Sequence, residues 1–357
     1  VLPLYSDLRR AWTGDRDGVP VRVEAAAAAG RPVAFDILPP WTETAYRSNI
    51  ATFTSPSLWL VFWILVFGGG ILAIRNYRQD RGDRQGGLRV ALLVLGASTL
   101  GTVLNLLPTD LRTLMGRFFD QTTSNVFQAG LLWMLYLALE PIVRRHRPRA
   151  LVSWTRLLRG QWRDPLVGRD VLVGFAFSGF VAVSWGLVNG TLETIPPLTW
   201  RLNAVHALGS WLGWSLFIAT LVAFGVMLVF VALRVLTRRD LWAGILLGGL
   251  ILLVVHGPLD AENWLLPLLL CASFTLLVVR YGVLAFMAME AMQEILIRWP
   301  LTGDPYAWYF DVTVVAGLLI SGLALAAAYG AAYGAAYGAA YGAVDGARRR
   351  ALSGGGL

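Results

Sequence analysis

The chain has 357 residues, a length that would accommodate two soluble domains, but 56% of them are hydrophobic and only 15% are charged. With a mean hydropathy of +0.59 and several apolar runs long enough to cross about 30 Å of hydrocarbon, the composition excludes a purely soluble protein. The net charge is +8, and all 30 basic residues are Arg. Such a balance suits nucleic acid or anionic lipid, but clustering of the arginines in loops between apolar runs favours a positive-inside orientation signal. The single cysteine, Cys271, lies in an apolar run, so an internal disulfide or a thiolate metal cluster is excluded. The chain begins at Val1 without a signal-peptide pattern, which suggests a fragment, a processed chain or an incomplete start.

Residues 1–56 are the least apolar part. VPVRVE (19–24) and RPVAFDIL (31–38) alternate apolar and polar with period two and predict two short strands. EAAAAAG between them reads as a helical turn. Two strands cannot bury a core alone, so this segment is expected to be the end of a small β-containing domain.

From there the chain alternates between spans and loops. Spans are predicted at 57–74, 88–107, 126–143, 171–188, 207–233, 241–255 and 264–279, with a last one from about Trp308 past Leu325. Gly68-Gly69-Gly70 has no Lys after it and reads as helix packing, not as a phosphate loop. The Arg-rich loops Arg75–Arg89, Arg144–Asp170 and Arg234–Arg239 are expected on the cytoplasmic side. The segments 108–125, 189–203 and 256–263 are expected as external loops. VLAFMAMEAMQEILIRW (283–299) carries Glu290, Glu294 and Arg298 on one helical stripe; it either lies in the interface or spans with the stripe turned inward. The expected fold is an all-α membrane protein: a polytopic bundle of about eight transmembrane helices over 57–328, with a short β-containing extracytoplasmic N-terminal segment.

Residues 329–357 form an Ala/Tyr/Gly repeat with a basic tail. Gly330, Gly334, Gly338 and Gly342 recur every fourth residue, a spacing that suits close helix packing or self-association. Simple extension of the last span is the plainer alternative.

Three candidate sites follow. Residues 149–163 predict an amphipathic cytoplasmic helix, with Leu151, Trp154, Leu158 and Trp162 on one face and Arg149, Arg156, Arg159 and Arg163 on another. Arg149, Trp154, Arg156, Arg159, Trp162 and Arg163 are thus candidates for contact with anionic headgroups or with a membrane-protein partner. His206 and His256 both fall near the external face, with Glu193, Asp260 and Glu262 in adjoining loops. Two histidines at such positions could hold a cofactor such as haem, or a metal; the lack of an HExxH or an i, i+4 pair makes hydrogen-bonded interfacial histidines the plainer state. No dedicated metal site, acid–base pair or Walker-type loop is legible, and the identity of any cofactor is not written in the sequence.

Several blocks together resemble one family. GRPVAFDILPPW (30–41), RNYRQDRGDRQGGLRVAL (75–92), LYLALEPIVRRHRPRALVSWTRLLRGQWRDPLVGRDVLVG (135–174) and IRWPLTGDPYAWY (297–309) resemble the C-terminal multi-span membrane region of bacterial serine/threonine protein kinases with a PDZ-like extracytoplasmic segment. The resemblance implies that residues 1–56 end a PDZ-like domain, that the chain is multi-pass in the bacterial inner membrane, and that it anchors or senses for a signalling protein. It does not imply catalysis: VAIK-type Lys, HRD and DFG are all missing. A structural accessory subunit of a larger membrane complex is the alternative, and a histidine-based carrier the more distant one.

Overall fold

The computed structural model describes residues 8–16, 18–28, 31–38, 56–106, 111–189, 204–253, 265–307 and 309–353. The N-terminal segment is a three-stranded antiparallel sheet in the order β1 (Leu8–Arg16), β2 (Val19–Ala28), β3 (Arg31–Leu38). The sequence reading missed β1 and took the alanine run for a helical turn. That run is instead the central strand: Ala26 pairs with Arg9 on one side and Ala34 on the other. Pairing along both edges outweighs the helical preference of alanine, which is a weak prior. Arg16 pairs with Val19 at the turn end of the first hairpin. Gly18 sits at φ +79°, where a side chain would be strained, and its N–H donates to Asp15 Oδ1 at 2.7 Å.

The rest is helical. In chain order the elements are α1 (Pro56–Arg78), α2 (Arg84–Leu106), α3 (Leu111–His146), a 3-10 turn (Pro148–Leu151), α4 (Val152–Leu158) and α5 (Pro165–Asn189). Then come α6 (Ala204–Ser210), a π turn (Trp211–Ser215), α7 (Leu216–Thr237), α8 (Asp240–Ile251), α9 (Leu265–Arg280), α10 (Val283–Arg298) and α11 (Phe310–Ser353). Among the described residues, six segments are long and apolar enough to cross a membrane: Trp59–Arg78, Arg84–Leu106, Met115–His146, Pro165–Ser184, Ala204–Thr237 and Phe310–Gly334. The chain is a multi-pass membrane protein. Apolar side chains all around a helix, as on α7, are what a hydrocarbon solvent selects.

Two boundaries differ from the sequence reading. Residues 111–125, read as external loop, belong to α3, because Thr122 and Thr123 turn their hydroxyls back onto Phe118 O and Phe119 O and so remain compatible with a helix. The tail repeat continues α11 without a break to Ser353. At 1.5 Å per residue that helix is about 66 Å long, roughly twice a hydrocarbon core.

The core lies where α3, α7 and α10 meet. Leu132, Leu135, Tyr136 and Leu139 of α3 pack with Phe224, Met227 and Phe230 of α7 and with Val283–Met289 of α10. The segment 283–299 is therefore packed within the bundle along its length. Gly282 packs on the backbone of Ala150 at the Arg-rich end, Gly174 of α5 touches Ala285, and Trp299 packs with Val312 and Ala316 of α11 at the far end. At the Arg-rich end Asp240 ties the bundle: it accepts from Arg147 at 2.6 Å and from Arg234. The same two guanidinium groups donate to Val279 O and His146 O. The ends of α3, α7 and α9 are thereby fixed to the start of α8.

Candidate functional site: a polar cleft between α2, α3 and α6

At the end opposite the Arg-rich loops, α2 and α6 approach backbone to backbone. A Cβ on Gly101 would collide with Gly209 O and lie 2.7 Å from Gly213 N, and one on Gly209 would lie 2.8 Å from Gly101 O. Only glycine permits this distance. The π turn begins here: Leu216 N donates to Trp211 O, five residues back. The shifted ladder leaves Gly213 O open to a side chain, and Ser98 Oγ occupies it at 3.1 Å.

A chain of buried polar groups continues inward. Gln128 Oε1 lies 3.4 Å from Ser98 Oγ, Thr102 Oγ1 donates to Ser98 O at 2.9 Å, and Asn125 Nδ2 donates to Thr102 Oγ1 at 3.0 Å. Ser98, Thr102, Asn125 and Gln128 are all buried. Polar side chains at this depth persist only when partnered.

Thr102 and Gln128 of this chain of groups edge a cleft of about 450 Å³ whose lining adds Asn105, Arg117, Asp120, Gln121 and Trp214. Arg117, Asp120 and Gln121 share one face of α3 a turn or two before Asn125. The cleft thus offers a cation, an anion, several amides and an aromatic face in a volume suited to a small polar ligand. It contains no nucleophile beside a base, and among the described residues no three His, Cys, Asp or Glu side chains gather as a metal site.

The residues singled out from the sequence are dispersed. His206 lies in α6, half-buried and hydrogen-bonded to the Asn105 backbone, one turn from Gly209. His256 lies outside the described residues, so no pair is formed within them. The segment 149–163 is not one helix: α4 stops at Leu158, where Gly160 adopts φ +79°. Gln161 N donates to Arg156 O and Gly160 N to Leu157 O, a Schellman stop that the wheel over 149–163 did not allow for.

Within that stretch, Trp154 is 2% exposed and packs edge-on against Phe224 at 6.0 Å, inside the bundle. Arg156 pairs with Asp164 at 2.5 Å, while Arg149 and Arg159 are exposed. Trp162 and Arg163 lie against α11: Trp162 is 6.3 Å from the Tyr329 ring and Arg163 stacks over Trp162 at 4.6 Å. Gly330 faces Trp162 O and Gly334 faces Pro165, with Gly168 fitted against Ala327. The first two glycines of the repeat therefore pack within the chain. Gly338 and Gly342 continue the same helix.

Sequence reasoning missed Ser98, Asn125 and Gln128. The signal was present, since Asn125 and Gln128 are one turn apart beside an apolar run, but a loop boundary drawn at residue 125 separated them. No protein-family model, no curated protein and no solved structure matches this chain.

Proposed function

We propose that this chain is a non-catalytic sensor or anchor module of a bacterial signalling protein of kinase-like architecture, held in the inner membrane with its Arg-rich end in the cytoplasm. The observation that carries the reading is the polar cleft at the end opposite those arginines. A recognition site at one end of a bundle and a charged, loop-rich surface at the other suit transmission across a membrane better than chemistry within it. The close glycine contact and the π turn beside the cleft make α6 responsive to what binds there, because a ligand touching Ser210 or Trp214 touches the same backbone.

The orientation rests on arginine. Arg75–Arg89, Arg144–Arg169 and Arg234–Arg239 share one end, which the positive-inside rule assigns to the cytoplasm. The count of crossings follows by parity. α7 ends and α10 begins at the Arg-rich end, so α8 and α9 leave and return between them. That arrangement favours seven or nine crossings over eight. Asp260 and Glu262 between α8 and α9 would each cost about 2.5–3.5 kcal/mol in hydrocarbon, which favours nine.

A second reading, an accessory subunit of a larger complex, is favoured by the outer helices. Only 17% of the apolar window of α1 and of α11 is buried, and Trp59, Trp63 and Phe67 form an exposed aromatic row. The reading frame upstream of Val1 distinguishes the two. A kinase domain there, with autophosphorylation that responds to Gln128→Leu in the cleft, is the expected result. No kinase domain upstream and no kinase co-purifying in mild detergent would overturn the signalling reading. Stoichiometric membrane proteins in that preparation would then mark the subunit.

A further inference from the structure

A second cleft, of about 410 Å³, opens at the Arg-rich end between the α1–α2 turn and the last turns of α3. Its three acids are each committed within the protein. Asp80 pairs with Arg84 at 2.5 Å, and Glu140 pairs with Arg144 at 2.6 Å while accepting from Asp83 N at 3.3 Å. Asp83 Oδ1 caps α2 by accepting from Gly86 N at 2.8 Å. Two further lining guanidinium groups, Arg81 and Arg145, have no acid partner among the described residues. With Asp80 and Glu140 paired to arginines, Arg81 and Arg145 outweigh the single charge of Asp83, and the unmet charge of the cleft is positive.

Directly below, the surface changes character. Tyr77 and Trp133 are partly exposed with ring centroids 6.3 Å apart, and Arg84 stacks over Tyr77 at 4.0 Å. Aromatic rings topped by guanidinium groups mark headgroup depth. Beyond them α1 and α2 each pack on α3 and scarcely on each other. The exposed side chains Ile71, Ile74, Leu88 and Trp133 face the hydrocarbon.

From this sequence of surfaces we infer that Arg81 and Arg145 hold the phosphate of an anionic phospholipid of the cytoplasmic leaflet, with its acyl chains lying along the α1–α3–α2 surface past Trp133. A guanidinium pair matches phosphate geometry, and the apolar groove accounts for a lipid in place of a free anion.

The test uses the full chain purified in mild detergent and stripped of lipid. Phosphatidylglycerol is expected to raise the temperature of thermal unfolding and to remain bound at about one per chain in native mass spectrometry. Phosphatidylcholine and inorganic phosphate at equal phosphate concentration are expected to do neither. Arg81→Gln with Arg145→Gln should weaken the phosphatidylglycerol effect about thirty-fold, at roughly one tenfold step and a half for two surface arginines. Arg239→Gln with Arg280→Gln, exposed at the Arg-rich end outside the cleft, should leave it unchanged. An equal response to phosphatidylcholine or to inorganic phosphate would overturn the site, as would equal loss in the two double variants. The wild-type comparison decides the matter even if the cleft variant fails to fold.

Discussion

Pro141 sits inside α3 and has no N–H to give to Leu137 O four residues earlier. That carbonyl is not left orphaned: Asn76 Nδ2 of α1 donates to it at 2.9 Å, with Ala138 O at 3.4 Å. Asn76 is buried, and its position at the inner end of an apolar span gives no sign of this role in the sequence. One residue on α1 thus repairs the ladder of α3 and fixes the two helices in register. Asn76→Leu should destabilise the protein by about 1–3 kcal/mol, since a buried carbonyl loses its only side-chain donor. In a Pro141→Ala background the restored amide can take that carbonyl, and the cost of Asn76→Leu should fall below about 1 kcal/mol. A double-mutant cycle on unfolding in detergent measures the difference; equal costs in both backgrounds would show that Asn76 acts only by packing.

Among the elements, legibility followed chemistry. The six long spans were legible because about twenty apolar residues in a row have few alternatives, whereas the expected spans at 241–255 and 264–279 are shorter apolar helices. β1 was not, since LRRAWTGDR alternates poorly and is a strand through its pairing with β2. α10 was ambiguous because a polar stripe is compatible with an interface or an interior. Its packing against α5, α7 and α11 puts the helix inside the bundle, and packing partners distant in sequence are invisible to periodicity. The cleft was hidden for the same reason: it depends on α2 and α6 meeting at Gly101 and Gly209 across more than a hundred residues. This contact gives a sharp element-scale expectation. Gly101→Ala forces a methyl onto the α6 backbone and should cost about 1–3 kcal/mol, as overpacking does. Gly96→Ala, in the same helix with nothing within 4 Å of its Cβ, should be neutral or slightly stabilising. Monodisperse protein remaining after heating in detergent reports both. Tolerance of Gly101→Ala equal to that of Gly96→Ala would mean that the helices separate more readily than their contact implies.

For the molecule as a whole, the decisive quantity is which end faces which compartment. The native chain has one cysteine, Cys271, and it is buried, so a Cys271→Ala background is blank to thiol reagents. Gln161 is exposed beside Arg159 and Arg163 at the Arg-rich end, whereas Gln121 is exposed at the mouth of the polar cleft. With a membrane-impermeant maleimide on intact spheroplasts, Gln121→Cys should label at once and Gln161→Cys only after permeabilisation. The reverse pattern would invert the proposed orientation and put the recognition cleft in the cytoplasm, where the sensor reading would lose its signal source. A third position tests the α8–α9 pair. α8 and α9 span only about 18 and 24 Å at 1.5 Å per residue, so whether they cross depends on the residues between them. Glu262→Cys labelling from outside, like Gln121→Cys, would fit nine crossings; labelling only after permeabilisation would leave α8 and α9 as a re-entrant pair and seven crossings. In either case an odd count would keep the β segment and the end of α11 on opposite sides. On the proposed orientation the 44-residue α11 would then carry its basic tail into the compartment that holds the Arg-rich loops, in agreement with the positive-inside rule.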